Sequence, residues 1–341
     1  MTKPYPTRKQ TVGISSAWAG YEAALSGVVY YPRIDAGCLK IGGEHRLDFL
    51  QRQSSNDLRS LSPGKSITTV LTSPTARILD LLQVFAEDQA LDVITLPGRA
   101  SFTAQFLRKR IFFMDRVSIM DLSPEWTQVD IEGRGLQGWM QEKWGEAPPE
   151  INEVIDIQVA GFEMRVLGQP GLIDPGFRLL VATQNATRLT YMLAAMGAIP
   201  IDDASYQALR VEAGVPASGN ELTEEHTPLE VGLEAHVSLD KGCYTGQEVI
   251  TRQVNYNKVS QRLVGLRLEE ATAPGVDLAF EGRQVVGKVT SAIVSPRLGP
   301  IALAIVRRPF HEPGTCLSLT GQGKKQKAVV CELPFHIAPG A

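Results

Sequence analysis

The chain has 341 residues, of which 43% are apolar and 21% charged, with a formal net charge of −3 and a pI near 6.0. This length exceeds what one hydrophobic core usually organises, and the composition is that of a globular protein rather than a disordered or membrane-spanning one. Because the net charge provides no overall field for polyanions, we expect neither a direct nucleic-acid partner nor a membrane partner.

The cysteines and the N-terminus indicate the compartment. The four cysteines are Cys38, Cys243, Cys316 and Cys331. None has the C-x-x-C spacing of a metal site, so we predict no intrinsic metal and free thiols in a cytoplasmic protein. Residues 1–26 begin with a basic stretch in which Pro4 and Pro6 oppose a presequence helix. We therefore predict a disordered or extended N-terminus.

Residues 27–130 predict the first part of an α+β body. Apolar residues recur at helical spacing from His45 to Leu58, which predicts a helix. Two apolar runs, Ile78–Phe85 and Ala90–Leu96, predict strands, and Ser101–Arg110 predicts an amphipathic helix. These elements do not alternate regularly enough for a doubly wound parallel sheet.

Residues 131–258 predict the second part of this body. The segment from Glu132 to Glu153 is rich in Gly, Trp and Pro, which is typical of a boundary or a surface excursion. After it, the pattern predicts strands at Ile155–Leu167 and Arg178–Ala182 and helices at Gln184–Met196 and Ser205–Ala213. Residues 259–337 then change to short strands punctuated by Gly and Pro, such as RLVGLRL and PIALAIV, and predict a small β-barrel.

Several motifs carry a resemblance to a known family. The segment Leu209–Arg252 contains RVEAG and TPLE, a pattern similar to that of aminomethyltransferases, followed by KGCYTGQE at Lys241–Glu248. The latter resembles the signature of the YgfZ family of folate-binding proteins, within the aminomethyltransferase (GcvT-like) superfamily. GEHRLDFLQRQSSND at Gly43–Asp57 and GKVTSAIVSPRLGPIALAIVRR in the barrel region resemble further motifs of this superfamily.

The resemblance implies a fold, a ligand and a function. The implied fold is a folate-binding body of two intertwined α+β domains with a small C-terminal β-barrel. The implied function is a tetrahydrofolate-binding accessory protein for the assembly or repair of iron-sulfur enzymes, including tRNA-modifying enzymes. Its ligand would be tetrahydrofolate or a one-carbon derivative, and its partners iron-sulfur client enzymes or assembly proteins. Two alternatives stay open: a tetrahydrofolate-dependent aminomethyltransferase or demethylase, and an interaction protein with an emptied pocket. Whether there is catalytic turnover also stays open.

The resemblance implies the residues that bind the ligand. A pterin presents a 2-amino-4-oxo edge that one carboxylate can match by accepting two N–H bonds. Glu212, in RVEAG, occupies the motif position that implies this contact. The remaining candidates are Arg210, Asn220 and Glu221 as supporting groups and Glu230 as a further residue facing the ligand.

Asp80 is the candidate acid/base residue. It lies in TARILDLLQVF, which resembles the GGxxDDxxV strand of aminomethyltransferases, whose first aspartate works beside the folate nitrogen. The motif is imperfect, because Ala76 and Arg77 replace the glycine pair and Leu81 replaces the second aspartate. Ligand contact is therefore expected more strongly than one-carbon transfer.

Cys243 is the candidate reactive thiol. The cysteine of KGCYTGQE distinguishes the YgfZ family, since aminomethyltransferases have an acidic residue in the corresponding loop. Lys241 lies two residues away, and Gly242 and Gly246 allow the loop to expose backbone amides. Both features favour the thiolate over the thiol. A small buried residue at a glycine turn is the structural alternative.

Overall fold

The computed structural model describes residues 18–281, 284–320 and 326–335. The helices of this part are α1 Ala19–Ser26, α2 Arg46–Gln53, α3 Ala100–Arg108, α4 Leu136–Trp144, α5 Ala186–Ala195, α6 Asp203–Glu212 and α7 Gln247–Asn255. The strands are β1 Val28–Pro32, β2 Gly37–Gly42, β3 Ser66–Thr72, β4 Ile78–Ala86, β5 Ala90–Thr95, β6 Ser118–Asp121, β7 Trp126–Gly133, β8 Val154–Val159, β9 Phe162–Gln169, β10 Gly176–Ala182, β11 Ile199–Pro200, β12 Gln261–Leu268, β13 Asp277–Phe280, β14 Gln284–Ser295, β15 Gly299–Arg307, β16 Cys316–Leu319 and β17 Gln326–Cys331.

The body contains two sheets between which the chain crosses repeatedly. The first sheet has the order β11-β1-β7-β10-β9-β8, and the second has the order β3-β4-β5-β2-β6. Consecutive strands therefore belong to different sheets, first at β1 and β2 and again at β6 and β7. This crossing confirms the predicted body of two intertwined α+β domains.

Helices cover the outer face of each sheet. Leu136 and Met140 of α4 and Leu189 of α5 pack in the core of the first sheet. Phe49 of α2 and Leu107 of α3 do the same for the second. The two sheets contact one another through a smaller apolar cluster of Phe85, Ile94, Leu167 and Leu180. Burial of these faces is the main stabilising term of each layer.

The C-terminal strands form the predicted barrel, which is closed in the order β12-β15-β14-β13-β16-β17. A register shift between Val289 and Ser291 interrupts the pairing of β14 with β15. Such bulges redirect side chains. Here Thr290 is the extra residue, and Ser291, which pairs with Leu303, points to α6, where its hydroxyl lies 2.8 Å from Nη2 of Arg210. No helix in the described ranges is both long and apolar enough to cross a bilayer.

Three details differ from the sequence-based expectations. Residues 19–26, expected to be disordered or extended, form α1, whose Tyr21 and Ala24 are buried; residues 1–17 lie outside the described part. The Gly- and Trp-rich segment contains α4, bounded by Gly135 and Gly145 in the left-handed region. The expected boundary between residues 130 and 131 falls inside β7, because that strand pairs with both β1 and β10.

A buried carboxylate at the end of α6 joins the body to the barrel. Glu212 accepts hydrogen bonds from the hydroxyls of Tyr21 in α1, at 2.7 Å, and Ser295 in β14. Its other oxygen lies 2.5 Å from Nη2 of Arg297. Glu212 is 5% exposed, so this ion pair lies largely out of water. Together these contacts join α1, the end of α6 and the segment at the end of β14.

Removing the Glu212 carboxylate should destabilise the whole protein. We expect Glu212→Ala to lower the free energy of unfolding by about 3 kcal/mol, because Arg297 loses its buried counter-charge. The control is Glu248→Ala, which breaks the exposed Glu248–Arg252 pair and should cost less than about 1 kcal/mol. Urea unfolding followed by circular dichroism compares the two. Equal losses would show that Glu212 is not a structural anchor.

Candidate functional site

A cavity of about 460 Å³ lies between the two sheets, against α6. Its walls come from both sheets and from the segment after α6. Leu81, Leu96 and Leu172 contribute to an apolar wall, and Val215 and Leu222 extend it. The polar lining residues include Arg33, Thr68, Gln83, Asp130, Glu132, Gln169, Arg178, Tyr206, Gln207 and Arg210. Asp130, Glu132 and Arg178 come from the strand pair β7 and β10, and Tyr206, Gln207 and Arg210 come from α6.

A buried ion pair forms the centre of this polar end. Arg178 contacts Asp130 through two N–H groups, at 2.6 and 3.1 Å. Arg33 approaches the same carboxylate at 3.6 Å and donates a hydrogen bond to the Tyr206 hydroxyl at 2.8 Å. Burial alone would raise the pKa of Asp130, but Arg178 and Arg33 outweigh it and hold that pKa below its ordinary value. Asp130 is therefore a fixed anion with its charge compensated.

Glu132 lies two residues further along β7 and, unlike Asp130, forms no ion pair within the described residues. One of its oxygens accepts a hydrogen bond from the backbone N–H of Leu172 at 2.9 Å. The chain passes so close that a Cβ on Gly171 or Gly176 would lie within 3.0 Å of that carboxylate. Burial, with a contribution from the negative Asp130, raises the pKa of Glu132 to about 8. At neutral pH the cavity thus contains the protonated carboxyl group of Glu132. It lies beside the ionised Asp130, whose charge is compensated by Arg178 and Arg33.

Asp80 does not line the cavity. It lies on the face of β4 that packs beneath α3, and it is fully buried. Its carboxylate accepts hydrogen bonds from the Thr103 hydroxyl at 2.5 Å and from the N–H groups of Leu81 and Leu96. Burial raises its pKa to about 6. The neighbouring Leu81, where the family motif has its second aspartate, is the residue that forms part of the cavity wall.

The candidates near the end of α6 form one hydrogen-bonded network. Arg210 lines the cavity and contacts Glu221 at 3.4 Å, the Val215 carbonyl at 2.7 Å and the Ser291 hydroxyl. Asn220 donates to the same hydroxyl at 2.8 Å, and Glu221 accepts from it at 2.7 Å. These contacts hold the cavity-lining segment after α6 against the barrel. The structure therefore brings Arg210, Asn220 and Glu221 together, and only Arg210 of the three reaches the cavity lining.

Glu212 and Glu230 lie outside the cavity lining. The carboxylate of Glu212 is occupied by the junction with the barrel, so its placement does not match the predicted pterin contact. Glu230 accepts from the backbone N–H of Thr227 at 2.9 Å in a capping box and lies 3.7 Å from Arg77. Its role here is to close the TPLE turn. Both carboxylates stabilise loops that surround the site.

Lys241 anchors the KGCYTGQE loop rather than its cysteine. Its ammonium donates to the backbone carbonyls of Gln51, Ser54 and Asn56, at 2.6 to 2.8 Å, around the C-terminal end of α2. An ammonium has three N–H donors, and these contacts use all of them. Burial lowers the pKa of Lys241 to about 8. The ammonium therefore has no N–H left to donate to Cys243, the thiol that its position in the sequence was expected to favour as a thiolate.

Cys243 is exposed on this loop. The loop is docked against the end of β3, where the Thr72 hydroxyl donates to the Thr245 carbonyl at 2.6 Å. Gly246, at the N-cap of α7, has a positive φ of 86° and lies so close to the Ser73 carbonyl that a Cβ would meet it at 2.8 Å. Glycine is required there. The loop thus presents the thiol to solvent from a fixed backbone.

The sequence interpretation missed Asp130 and Glu132, the two carboxylates of the cavity. The signal was present in QVDIEG, where acidic residues alternate with Val129 and Ile131. Alternation places both carboxylates on one face of a strand. The pattern was obscured because the boundary was predicted between them. In the described part of the chain, no three His, Cys, Asp or Glu side chains are grouped to hold a metal ion.

Comparison with known proteins establishes the family. The body and barrel have the architecture of an aminomethyltransferase-type protein. The GCVT N-terminal domain model matches residues 27–241, and the glycine cleavage T-protein C-terminal barrel domain model matches residues 261–336. The chain belongs to the glycine cleavage T-protein (GCVT) family. This finding confirms the superfamily predicted from the motifs, while the assignment to the YgfZ family stays a prediction.

Individual relatives match nearly the whole chain. "Putative transferase At1g60990, chloroplastic" of Arabidopsis thaliana is 29% identical over 335 residues, covering 92% of this chain and 72% of the relative. An aminomethyltransferase of Nostoc sp. is 30% identical over 336 residues, covering 93% and 86%. The crystal structure of glycine cleavage system aminomethyltransferase T from Bartonella henselae has a TM-score of 0.84 at 20% identity, covering 94% of this chain and 89% of that one. That structural likeness shows the fold.

Accessibility predicts the order in which the four thiols alkylate. Cys243 and Cys316 are exposed, Cys331 is partly buried and Cys38 is buried. Burial, with a contribution from Asp92, also raises the pKa of Cys38 to about 12. We expect iodoacetamide at pH 8 to label Cys243 and Cys316 in the native protein and Cys38 only after unfolding. Peptide mapping by mass spectrometry measures this order, and native labelling of Cys38 ahead of Cys243 would contradict it.

Proposed function

We propose that this protein binds tetrahydrofolate, or a one-carbon derivative of it, in the cavity between the sheets and does not transfer an aminomethyl group there. We further propose that it serves the assembly or repair of iron-sulfur enzymes, with Cys243 acting at the surface of the KGCYTGQE loop. The absence of transfer is supported by the orientation of β4. Leu81, where the family motif has a carboxylate, lines the cavity, and Asp80 faces the core.

The residues around the cavity fit a pterin. A volume of about 460 Å³ falls in the range of small-molecule sites, and such sites combine an apolar wall with a few convergent polar groups. The pterin edge offers two N–H donors beside a carbonyl acceptor. Glu132 supplies a carboxyl group, and Arg33 has a buried Nε–H without a hydrogen-bond partner among the described residues. Glu132 would therefore hold the two N–H groups, in the role first expected of Glu212.

Acid/base catalysis by Asp80 has little support from this arrangement. A general base must lie within hydrogen-bond reach of the proton that it accepts. The Asp80 carboxylate is enclosed by Thr103 and two backbone N–H groups behind the cavity wall. Its function here is to fix the start of α3 against β4. The bound folate would supply the one-carbon chemistry, while this chain would orient the pterin and exclude water from it.

A second candidate function is aminomethyl transfer. It is favoured by the Nostoc relative named aminomethyltransferase, which is 30% identical over nearly the whole chain. In that case Glu132, whose pKa lies near neutrality, is the cavity group suited to proton exchange. The exposed cysteine loop favours the maintenance role, since the resemblance of KGCYTGQE is to the YgfZ family.

Pterin binding should depend on pH through Glu132. The empty protein holds a proton on this carboxyl group up to about pH 8, whereas the pterin edge requires the carboxylate. Below that pKa we expect the affinity for 5-formyltetrahydrofolate to rise roughly tenfold per pH unit and then to level off. Isothermal titration calorimetry measures this dependence. Glu132→Gln should weaken binding roughly tenfold to a hundredfold and remove the pH dependence.

The matched control for this measurement is Glu163→Gln, an exposed glutamate on β9, which should bind like the parent protein. Affinity that is independent of pH, or unchanged in Glu132→Gln, would remove Glu132 from the site. Complete absence of binding by the parent protein would overturn the folate proposal itself.

The choice between maintenance and transfer can be tested with two substitutions. Asp80→Asn keeps an oxygen that can accept from Leu81 and Leu96, so it should retain folding and function. We expect Cys243→Ser to lose rescue of iron-sulfur enzyme activities in a host that lacks its own YgfZ-type protein, with Cys316→Ser as an exposed-cysteine control. A true transferase should instead lose roughly a hundredfold or more of its rate when its acid/base group is removed. Glycine cleavage by the parent protein in vitro, dependent on Asp80 or Glu132, would establish the transferase.

A further inference from the structure

The turn after α3 exposes three consecutive large apolar side chains. Phe112, Phe113 and Met114 are 65%, 96% and 70% exposed. Isolated exposed apolar residues are common on protein surfaces, but contiguous ones mark an interaction site. These three residues, called the apolar turn below, lie apart from the folate cavity and have no role in its lining.

The apolar turn is held in place by its own hydrogen bonds. The backbone N–H of Phe112 donates to the Asp115 carboxylate at 3.1 Å, and the N–H of Asp115 donates to the Phe112 carbonyl at 2.9 Å. The second Asp115 oxygen accepts from Arg52 of α2 at 2.8 Å. Because these hydrogen bonds already fix the backbone of the turn, little backbone freedom is lost when its side chains insert into an apolar phase.

Three cations precede the apolar turn in the sequence. They are Arg108, Lys109 and Arg110, and none of them forms an ion pair within the described ranges. Arg108 donates to the Ile119 carbonyl at 2.8 Å, and the Arg110 guanidinium lies 3.4 Å from the centre of the Phe106 ring. Arg116, after the turn, is paired with Glu44. The local surface is therefore positive in a chain whose net charge is −3.

We infer that this surface docks on an anionic lipid bilayer, with the apolar turn inserted at the level of the headgroups and the three cations facing lipid phosphates. Phe side chains have no polar atom and Met has only a weakly accepting thioether, so they can enter the apolar phase without leaving a hydrogen-bonding group unsatisfied. Cations flanking such a tip keep their charges in the headgroup region while their aliphatic stems lie against the acyl chains. A second copy of this chain is disfavoured as the occupant, because an isologous contact would bring like charges together.

This inference revises the expectation of no membrane partner, which rested on the composition and the net charge of the whole chain. Attraction to anionic lipid acts only within a Debye length of the surface, so the local charge rather than the total decides it. The inference is independent of folate binding. It describes reversible attachment to one leaflet through a single surface.

Vesicle flotation tests the inference on the full chain. At low salt we expect the protein to float with vesicles of equal parts phosphatidylglycerol and phosphatidylcholine, and to partition roughly tenfold less into phosphatidylcholine alone. The double variant Phe112→Ser/Phe113→Ser should lose roughly tenfold of the partitioning, with Tyr191→Ser, another exposed aromatic residue, as its matched control. Lys109→Glu should weaken binding, whereas Lys288→Glu on the barrel should not.

A spectroscopic variant reports insertion directly. The indole of Phe113→Trp should shift its emission to shorter wavelength on anionic vesicles and should be quenched by lipids brominated near the headgroup. Absence of flotation at low salt would overturn the inference and favour an acidic protein as the occupant of this surface. Equal flotation of the Phe112→Ser/Phe113→Ser variant and the parent would also overturn it, since binding would then be electrostatic without insertion.

Discussion

The structure depends on how each buried carboxylate is neutralised. Moving a charge out of water is costly unless a counter-charge or several hydrogen bonds replace the water. Asp130 has two guanidinium groups, Glu212 has Arg297 with two hydroxyls, and Glu221 has Arg210 with Ser291. Asp80 has a hydroxyl and two backbone N–H groups. Glu132, with one backbone N–H and no cation within ion-pairing distance in the described part of the chain, remains least compensated.

Under the proposed function, that difference separates structural carboxylates from a ligand-binding one. A carboxylate whose charge is already neutralised by cations and hydrogen bonds has no free oxygen lone pair to offer a ligand. It instead holds its neighbours in place. Glu132 instead keeps its proton because burial and Asp130 disfavour its charge. A ligand with paired N–H donors would supply the missing compensation, and the carboxyl group would then ionise. In the proposed function the polar end of the cavity would bind the pterin edge, while the apolar Leu81 on the other side provides no second proton acceptor.

Sequence reasoning predicted the architecture better than the site. Short apolar strands with Gly and Pro between them predicted the barrel, and the RVEAG and KGCYTGQE motifs predicted the superfamily. Side-chain direction was the missing information. Whether Asp80 or Leu81 faces the cavity depends on which side of β4 is covered by α3. Whether the Glu212 carboxylate is free for a ligand depends on its ion pair with Arg297, 85 residues away. Such long-range partners leave no local signal, whereas the alternation of Asp130 and Glu132 did leave one.

The cysteine loop shows the same dependence on distant partners. In the sequence, Lys241 lies two residues from Cys243, which suggests that its charge favours the thiolate. In the structure, all three N–H groups of Lys241 are used by carbonyls around the end of α2, a position where a cation is also favoured by the helix dipole. The lysine therefore fixes the loop and the cysteine is left exposed. A thiol presented in this way is accessible to another protein, and its function in the proposed maintenance role would then depend on that partner's chemistry rather than on activation by Lys241.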